Sequence, residues 1–477
     1  MPNFFTKLFK RKKTRSYEGA SRKKRLKNWR ASRSSQNAET SMGLDTLRSR
    51  SRDLVRNNPL AFKGVNVIAS NVVGHGVKTR FSGAGSERIQ AAWDRWSAST
   101  SFDFNGGLSF NAMQSVVMKA IVESGEVLVR KRINTSADFP LQYQILEGDF
   151  LVNSLHSENG NNVVQGVELD DDGRVTGYHL YEQHPGDALG SFNSITTGSK
   201  LGTNRFDKSD VHHVFRIDRP GQLRGVPWVA PIMVRLKDVD EFVDATIMKQ
   251  KVAACFAGFV TDMSFELVDP TAMAQDNTQI SQSIEPGVIE ELPLGKDIKF
   301  PNPPSVEDFK DFQSILGHNI ASGLGISYEA LTGDLSEVNF SSARMGWIEM
   351  GRNIDQWRNC ILINMFIDKV VDDFLEVYSM DNGFDVSGIT RSHTPPKREM
   401  IDPMKETNAI IKSVRGGMMS LSEAISASGK DPQKVFERIK EDNDLLDTLG
   451  IVLDSDPRRV TQAGMVQPEE LNDESPE

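Results

Sequence analysis

Three groups of residues have the types and spacing that could do chemistry. The first is the acidic run Asp170-Asp171-Asp172-Gly173. A calcium loop starting at Glu168 would put Asp170, Asp172 and Gly173 in register, and its twelfth position should be a bidentate glutamate. That position is His179, inside an alternating strand pattern, so the run reads as a hairpin turn. The second group is His212 with His213. Neighbours on a strand point to opposite faces, which makes the two imidazoles a poor metal pair and gives them a structural or surface role. The third is Cys255 and Cys360, too few for a disulfide framework or a zinc site. Both lie in apolar helical sequence, where a buried free thiol is expected.

Catalytic signatures are missing as well. The chain has no G-x-S-x-G, Walker loop, H-E-x-x-H or Cys/His cluster. "GAGSER" at Gly83 has too few glycines and no preceding Rossmann strand. Asp372 and Asp373 fall in helical, solvent-facing sequence, and His75, His156, His184, His318 and His393 are scattered without ligand spacing. The expectation is therefore no catalytic residue, no metal and no cofactor.

The elements that would position any site are easier to read. "TLRSRSRDLVRNNPLAFKGVNVIASNVVG" is helical, with Leu54, Phe62, Val65 and Ile68 on one face and Gly74 and Gly76 at its end. Pro59 places a kink or boundary near Asn58. A short strand "GVKTRF" precedes the helix "ERIQAAWDRWS", whose Trp93 and Trp96 point to a core. The helix "NAMQSVVMKAIVESG" leads into the strand "EVLVRKRI", and further strand-like alternation runs to "SDVHHVF".

A long helix follows, over about 229–256, with Ile232, Leu236, Val239, Val243 and Ile247 at helical spacing. Residues 257–304 are broken by Pro and Gly and read as a small strand-containing subdomain. A second helix starts at the N-cap Ser305, carries Phe309, Phe312, Leu316 and Ile320, and ends at Gly323 and Gly325. The pair makes a stalk with a tip. "GLGISYEALTGDLSEVNFSSAR", residues 323–344, is then a polar loop with few charges before another long helix, about 341–378. Three short helices close the chain. Asp402-Pro403 starts one that stops at Gly416-Gly417, Ser420 with Glu423 boxes the second, and Asp431-Pro432 opens the third.

A chain of 477 residues has room for two to four domains, and 38% apolar with 25% charged residues is ordinary globular composition. No apolar run approaches the roughly 18 residues that span a bilayer, and the basic N-terminus lacks the apolar core of a secretory signal. Charge is uneven. Residues 1–35 hold thirteen Lys or Arg against Glu18 alone, about +12, so with −9 overall the other 442 residues carry about −21. The N-terminal stretch reads as a solvated arm or a contact for nucleic acid or an acidic partner.

Four stretches in this order resemble the lambda-like family of tailed-bacteriophage portal proteins: "SRDLVRNNPLAFKGVNVIASNVVGHG", "GVELDDDGRVTGYHLY", "IASGLGISYEALTGDLSEVNFSSAR" and "DPMKETNAIIKSVRGGMMSLSEAISASGKDP". With the intervening pattern they cover roughly residues 45–450. The resemblance implies an α+β subunit with an α/β wing, a two-helix stem, a small strand-containing clip and a mainly helical crown. On this chain that means a disordered basic arm over 1–40, the wing over 41–226, stem helices over 227–256 and 305–324, and the clip over 257–304. A tunnel loop over 325–344, a long helix over 345–395, the crown over 396–450 and a disordered acidic tail over 451–477 complete it.

The same resemblance implies a homo-oligomeric ring of about twelve subunits at one capsid vertex, assembled in the host cytoplasm. DNA is packaged and ejected through the ring, which docks the large terminase, the head–tail connector and capsid or scaffold protein. Double-stranded DNA would be touched non-specifically, and no membrane is involved. Ser336, Asn339, Ser341 and Ser342 would line the channel, with Gly323, Gly325 and Gly333 as hinges. An acidic body suits this role, because Lys and Arg contacts to phosphate bind tightly and a sliding conduit must not. The alternatives are a nucleic-acid-processing enzyme or accessory subunit that docks DNA with the basic arm, and a capsid shell or scaffold protein.

Overall fold

The computed structural model describes residues 28, 30–158, 161–190, 202–255, 259–262, 296–299, 309–336, 339–397, 399 and 402–453. Most of the basic arm, the acidic tail, the Ser305 cap and most of 257–304 lie outside the described residues.

The chain opens with helices α1 (Gln36–Ser41), α2 (Leu44–Asn57) and α3 (Pro59–Val73). The boundary that Pro59 predicts is there. Asn58 is extended, its Oδ1 accepts from Ala61 N at 2.9 Å, and Pro59 takes the first helical position, where no N–H is needed. The buried stripe of α3 is Ala61, Gly64, Val65, Ile68, Ala69 and Val72, whereas Phe62 is exposed, contrary to its expected place on the core face. Small residues let α3 approach its neighbours closely: a side chain at Gly64 would collide with Leu324.

Strand β1 (Lys78–Ser82) leads to α4 (Ser86–Ala98) and α5 (Phe110–Ser124). Next come β2 (Glu126–Ile133), β3 (Leu141–Glu147), the short strands β4 (His156–Glu158), β5 (Asn161–Val164) and β6 (Val167–Leu169), β7 (Val175–Tyr181), helix α6 (Pro185–Gly190), β8 (Thr203–Asp207) and β9 (Val211–Phe215). They form two antiparallel sheets, a meander in the order β4-β5-β6-β7-β8 and a three-stranded sheet in the order β3-β2-β9. The β6–β7 connection is the expected hairpin. Gly173 N donates to Asp170 O at 3.0 Å, and Gly173 takes the left-handed φ of +80° that the turn requires. Glu168 and His179, the ends of the hypothetical calcium loop, bond to each other across the two strands at 3.1 Å, and Arg205 holds Glu168 at 2.7 Å.

A 3₁₀ turn, Ala230–Ile232, starts the long α7 (Met233–Cys255). β10 (Phe259–Asp262) pairs antiparallel with β11 (Lys296–Lys299), so strands do lie between the two stalk helices. The returning α8 (Phe309–Leu324) meets α7 through Phe242 and Phe312, ring centroids 4.7 Å apart. Leu236 and Val239 are buried near the base of α7, but Ile247 and Met248 farther along are exposed, as is Ile315 on α8.

After α9 (Tyr328–Thr332), one continuous helical run crosses the core: α10 (Phe340–Trp357), a π-helical stretch (Arg358–Ile367) and α11 (Asp368–Asn382). Phe374 on α11 is fully buried among Trp93, Trp96, Phe81, Phe139 and Tyr378, with ring centroids 5.1 to 6.1 Å away. The expectation for both tryptophans holds. That for Cys360 does not: its thiol is free but exposed. It lies in the π stretch, in which Asp368 N–H reaches back five residues to Ile363 O, while Ile361, Leu362 and Phe366 take the buried positions.

β12 (Thr390–Thr394) returns to pair antiparallel with β1, Lys78 opposite Thr394. The last helices are α12 (Pro403–Arg415), α13 (Leu421–Ala427) and α14 (Pro432–Leu449), each with the predicted cap. Asp402 accepts from Lys405 N, Ser420 and Glu423 form the full capping box, and Asp431 accepts from Gln433 N. None of the three buries a residue.

Candidate functional site

The segment 323–344 connects α8 to α10, and its local chemistry explains its form. Gly323 lies inside α8, where any side chain would collide with Ile232 Cγ2, so it serves as a close-packing position. Gly325, at φ +72°, stops α8: Ile326 N donates to Ala321 O at 3.1 Å and Gly325 N to Ser322 O at 3.2 Å. Asn353 Nδ2 on α10 then donates to Gly325 O at 2.9 Å and fixes the turn.

Where a polar loop was expected, the chain forms the short helix α9. Ser327 Oγ caps it by accepting from Ala330 N, Gly333 at φ +77° ends it, and Leu331 is fully buried against α3. Leu324 and Ile326 are buried too. A cavity of about 330 Å³ remains between α8, this turn and α10, walled by His318 stacked on Tyr328 at 4.1 Å.

Beyond Gly333 the character changes. Asp334, Leu335, Ser336, Asn339, Ser341 and Ser342 are all exposed. Asp334 Oδ1 accepts from Ser336 N at 3.0 Å, and that bond holds its carboxyl below the usual range. Asn339 caps α10: Oδ1 accepts from Ser342 N at 2.8 Å, and Ser342 Oγ donates to Asn339 O at 3.0 Å. Of the expected site residues, the structure brings Asn339, Ser341 and Ser342 together in the first turn of α10 and puts Ser336 just before it. Gly323 lies in the last turn of α8, exposed on one side and close to Ile232 on the other. The segment carries Glu329, Asp334 and Glu337 and no cation before Arg344.

The most organised polar constellation lies elsewhere and is sealed. Glu126 Oε1 accepts from Arg48 Nη2 and from Arg224 at 2.6 and 2.9 Å, while Oε2 accepts from His213 Nε2 at 3.0 Å and Gly225 N at 2.6 Å. Burial alone would push the Glu126 carboxyl up; Arg224, Arg48 and His213 outweigh it and hold it well below the usual range. Burial in turn pushes His213 down. On the other face of β9, His212 Nε2 donates to Asp373 Oδ2 at 2.6 Å, which also accepts from Tyr143 Oη at 2.8 Å. The two histidines do point to opposite faces, and each is a structural partner of a carboxylate. With Arg48, Glu126 and Arg224 at zero exposure, no substrate reaches this cluster. It joins α2, β2, β9 and the loop after β9.

Sequence reading misses one further group. Glu147, Asp149 and His184 bring ligand atoms within 4.8 Å of one another. Arg52 already sits on both carboxylates, 2.7 Å from Glu147 and 2.5 Å from Asp149. Burial would raise Asp149, but the Arg52 bond prevails and lowers it. Arg52 thus offsets one of the two carboxylate charges in this group.

The exposed features are thus a stalk with apolar side chains on its surface, a polar segment at its base and uncovered terminal helices, while the strongest polar chemistry is locked inside. These define a structural subunit that presents surfaces. Residues 22–358 match the profile described as "Phage portal protein, lambda family", and the chain belongs to that family of bacteriophage structural proteins. It is 26% identical over 458 residues to the probable portal protein of Halomonas phage phiHAP-1, covering 91% of this chain and 86% of that protein. Against portal protein B of Escherichia phage lambda the identity is 23%, covering 82% of each. Among solved structures it resembles a chain from the neck of a native GTA particle computed with C12 symmetry, at 16% identity, TM-score 0.44, and 80% and 94% coverage of this chain and that one.

Proposed function

We propose that this portal protein forms a closed ring of about twelve copies at one capsid vertex and acts as the conduit for double-stranded DNA during packaging and ejection. In this reading α7 and α8 are the stem and the β10–β11 region is the clip, which docks the large terminase and later the head–tail connector. Residues 41–226 form the wing, next to capsid or scaffold protein, and the helices over 396–450 form the crown. The subunit is a virion component made in the host cytoplasm, and its role is mechanical, with no catalysis.

The observation that carries this reading is the family match over residues 22–358. The fold adds support through the exposed Val234, Ile247, Met248 and Ile315 on the stalk, apolar surface that side-by-side copies would cover. Ser336, Asn339, Ser341 and Ser342 then face the duplex as a non-adhesive lining, and Gly325 and Gly333 are the points where the backbone can change direction. Among the described residues no helix is long and apolar enough to cross a membrane. Electron microscopy of the purified protein tests the proposal: rings with an axial hole are expected, and monomers or dimers at every salt and protein concentration would refute it.

A further inference from the structure

A basic cleft lies between the β1–β12 pair and the start of α14. Two contiguous cavities, of about 390 and 580 Å³, share Lys78, Thr394 and Gly429 in their walls. Gly429 takes φ +76°, and its turn sits directly on the backbone of Lys397, which brings the C-terminal helices against the residues that follow β12. Into this cleft come Lys78, Arg80, Lys397, Lys430, Lys434 and Arg438, against Asp431 and Glu399 in its walls and Asp94 beside it, 3.9 Å from both Arg80 and Lys434. Asp431 is already engaged by Arg80 at 2.8 Å. In a body that carries about −21 outside its first 35 residues, such a concentration of cations is exceptional.

We propose that this cleft holds the chain's own acidic segment, residues 467–477. That segment has Glu469, Glu470, Asp473, Glu474 and Glu477 and no Lys or Arg. It also follows α14, whose N-terminus is part of the cleft wall. The helix carries the chain away over 18 residues, roughly 27 Å at 1.5 Å each. The thirteen residues of 454–466 can span roughly 43 Å when extended, enough to return.

The lining favours a peptide over nucleic acid. Pro395, Pro396, Pro403 and Val435 offer apolar surface suited to Pro468 and Leu471, His75 is the one ring in the lining on which a base could stack, and a duplex about 20 Å wide does not fit cavities of this size. Lysines and arginines on three separate elements would read the carboxylates, and the apolar wall the residues between them.

Carbodiimide cross-linking of the full-length protein tests this. Peptide mapping should join the carboxylates of 469–477 mainly to Lys78, Lys397, Lys430 and Lys434, and about 0.5 M salt should reduce these products several-fold through screening. Cross-links spread over other lysines would overturn the proposal. A second arm uses a labelled peptide of residues 467–477 and a full-length variant neutralised by E469Q, E470Q, D473N, E474Q and E477Q. That variant should bind the peptide, and adding Lys430→Glu, Lys434→Glu and Arg438→Glu, all at exposed positions, should weaken binding about tenfold or more. Unchanged affinity would refute the cleft as the receptor, and so would a short DNA duplex displacing the peptide better than unlabelled peptide does. Ring formation is scored separately, so failure here leaves the portal assignment intact.

Discussion

Helix α3 among the helices of residues 44–124 starts with the same local devices as the helices of residues 403–449. Asn58 caps α3; Asp402, Ser420 and Asp431 cap the others, with Pro59, Pro403 and Pro432 in the first turn. Their fates differ. In the first group Ile68, Val117 and Ile121 are fully buried. In the second, Met404, Leu445 and Leu449 stand more than half exposed, and no residue is buried. Capping settles where a helix starts, but tertiary burial supplies most of its stability. The terminal helices therefore draw little stability from burial within the subunit, whereas the N-terminal ones are held by it.

Breaking the sealed cluster should have the largest effect. Glu126→Ala leaves Arg48 and Arg224 buried without their carboxylate and should cost about 3–5 kcal/mol, read as a large fall in the urea midpoint or loss of soluble protein. An unchanged midpoint would mean that the cluster contributes nothing to the body. Phe374→Ala should cost a comparable 3–5 kcal/mol or slightly less by opening the aromatic core, whereas Leu445→Ala in the isolated subunit should stay within about 0.5 kcal/mol. Similar shifts for the two would erase the contrast between the regions. Charges at Trp357 or Phe366 belong with the first kind, since both side chains are buried inside the subunit and report on its fold before any ring.

Acid should discriminate between the regions next. His213, Glu126 and Asp373 all have folded-state values below their ordinary ones. For Asp373, burial works against the shift, and the His212 bond, with Tyr143 and Lys131, wins. A depressed value means that the unfolded chain binds more protons, so the stability these groups add is complete above their unfolded values and lost as pH falls. The loss should begin below the ordinary histidine value of 6.5 and steepen below the ordinary glutamate value of 4.5. Urea titrations between these pH values check it, and a flat profile would contradict it. The smallest expected effect is at the exposed segment. Asn339→Ala removes the α10 cap and should cost about 1 kcal/mol, whereas Ser341→Ala should be nearly silent, and circular dichroism melts can separate them.

Local chemistry made much of this legible in the sequence. The Asn58–Pro59 boundary, the hairpin at Asp170 to Gly173, the opposed faces of His212 and His213, the core tryptophans and all three C-terminal caps depend on neighbours within a few residues. What was not legible depends on residues far apart. Arg48, His213 and Arg224 lie 78, 87 and 98 positions from Glu126, and β1 finds β12 more than 300 residues on. Phe62 misleads because it falls beside, and not on, the stripe of Ala61, Val65, Ile68, Ala69 and Val72 that α3 buries. At five residues α9 is too short to show a period, and its signals, Ser327 and Gly333, are equally those of a loop. Of the candidate site, the helix stop at Gly325 was readable, while the packing role of Gly323 required sight of Ile232.

The π-helical stretch between Trp357 and Asp368 has a consequence for what substitutions and deletions this chain tolerates. It works as a phase spacer in a rod: the number of residues in it sets the direction in which everything downstream faces. Removing one residue would rotate Asp368–Asn382 by roughly 100°, one residue's step in an α-helix. That rotation would swing Asp373 off His212 and Tyr143 and take Phe374 out of its aromatic nest. In this stretch the count of residues matters at every position and their identity at the buried ones, Arg358, Ile361, Leu362, Phe366 and Ile367, whereas an exposed position such as Cys360 can change in kind as long as none is gained or lost.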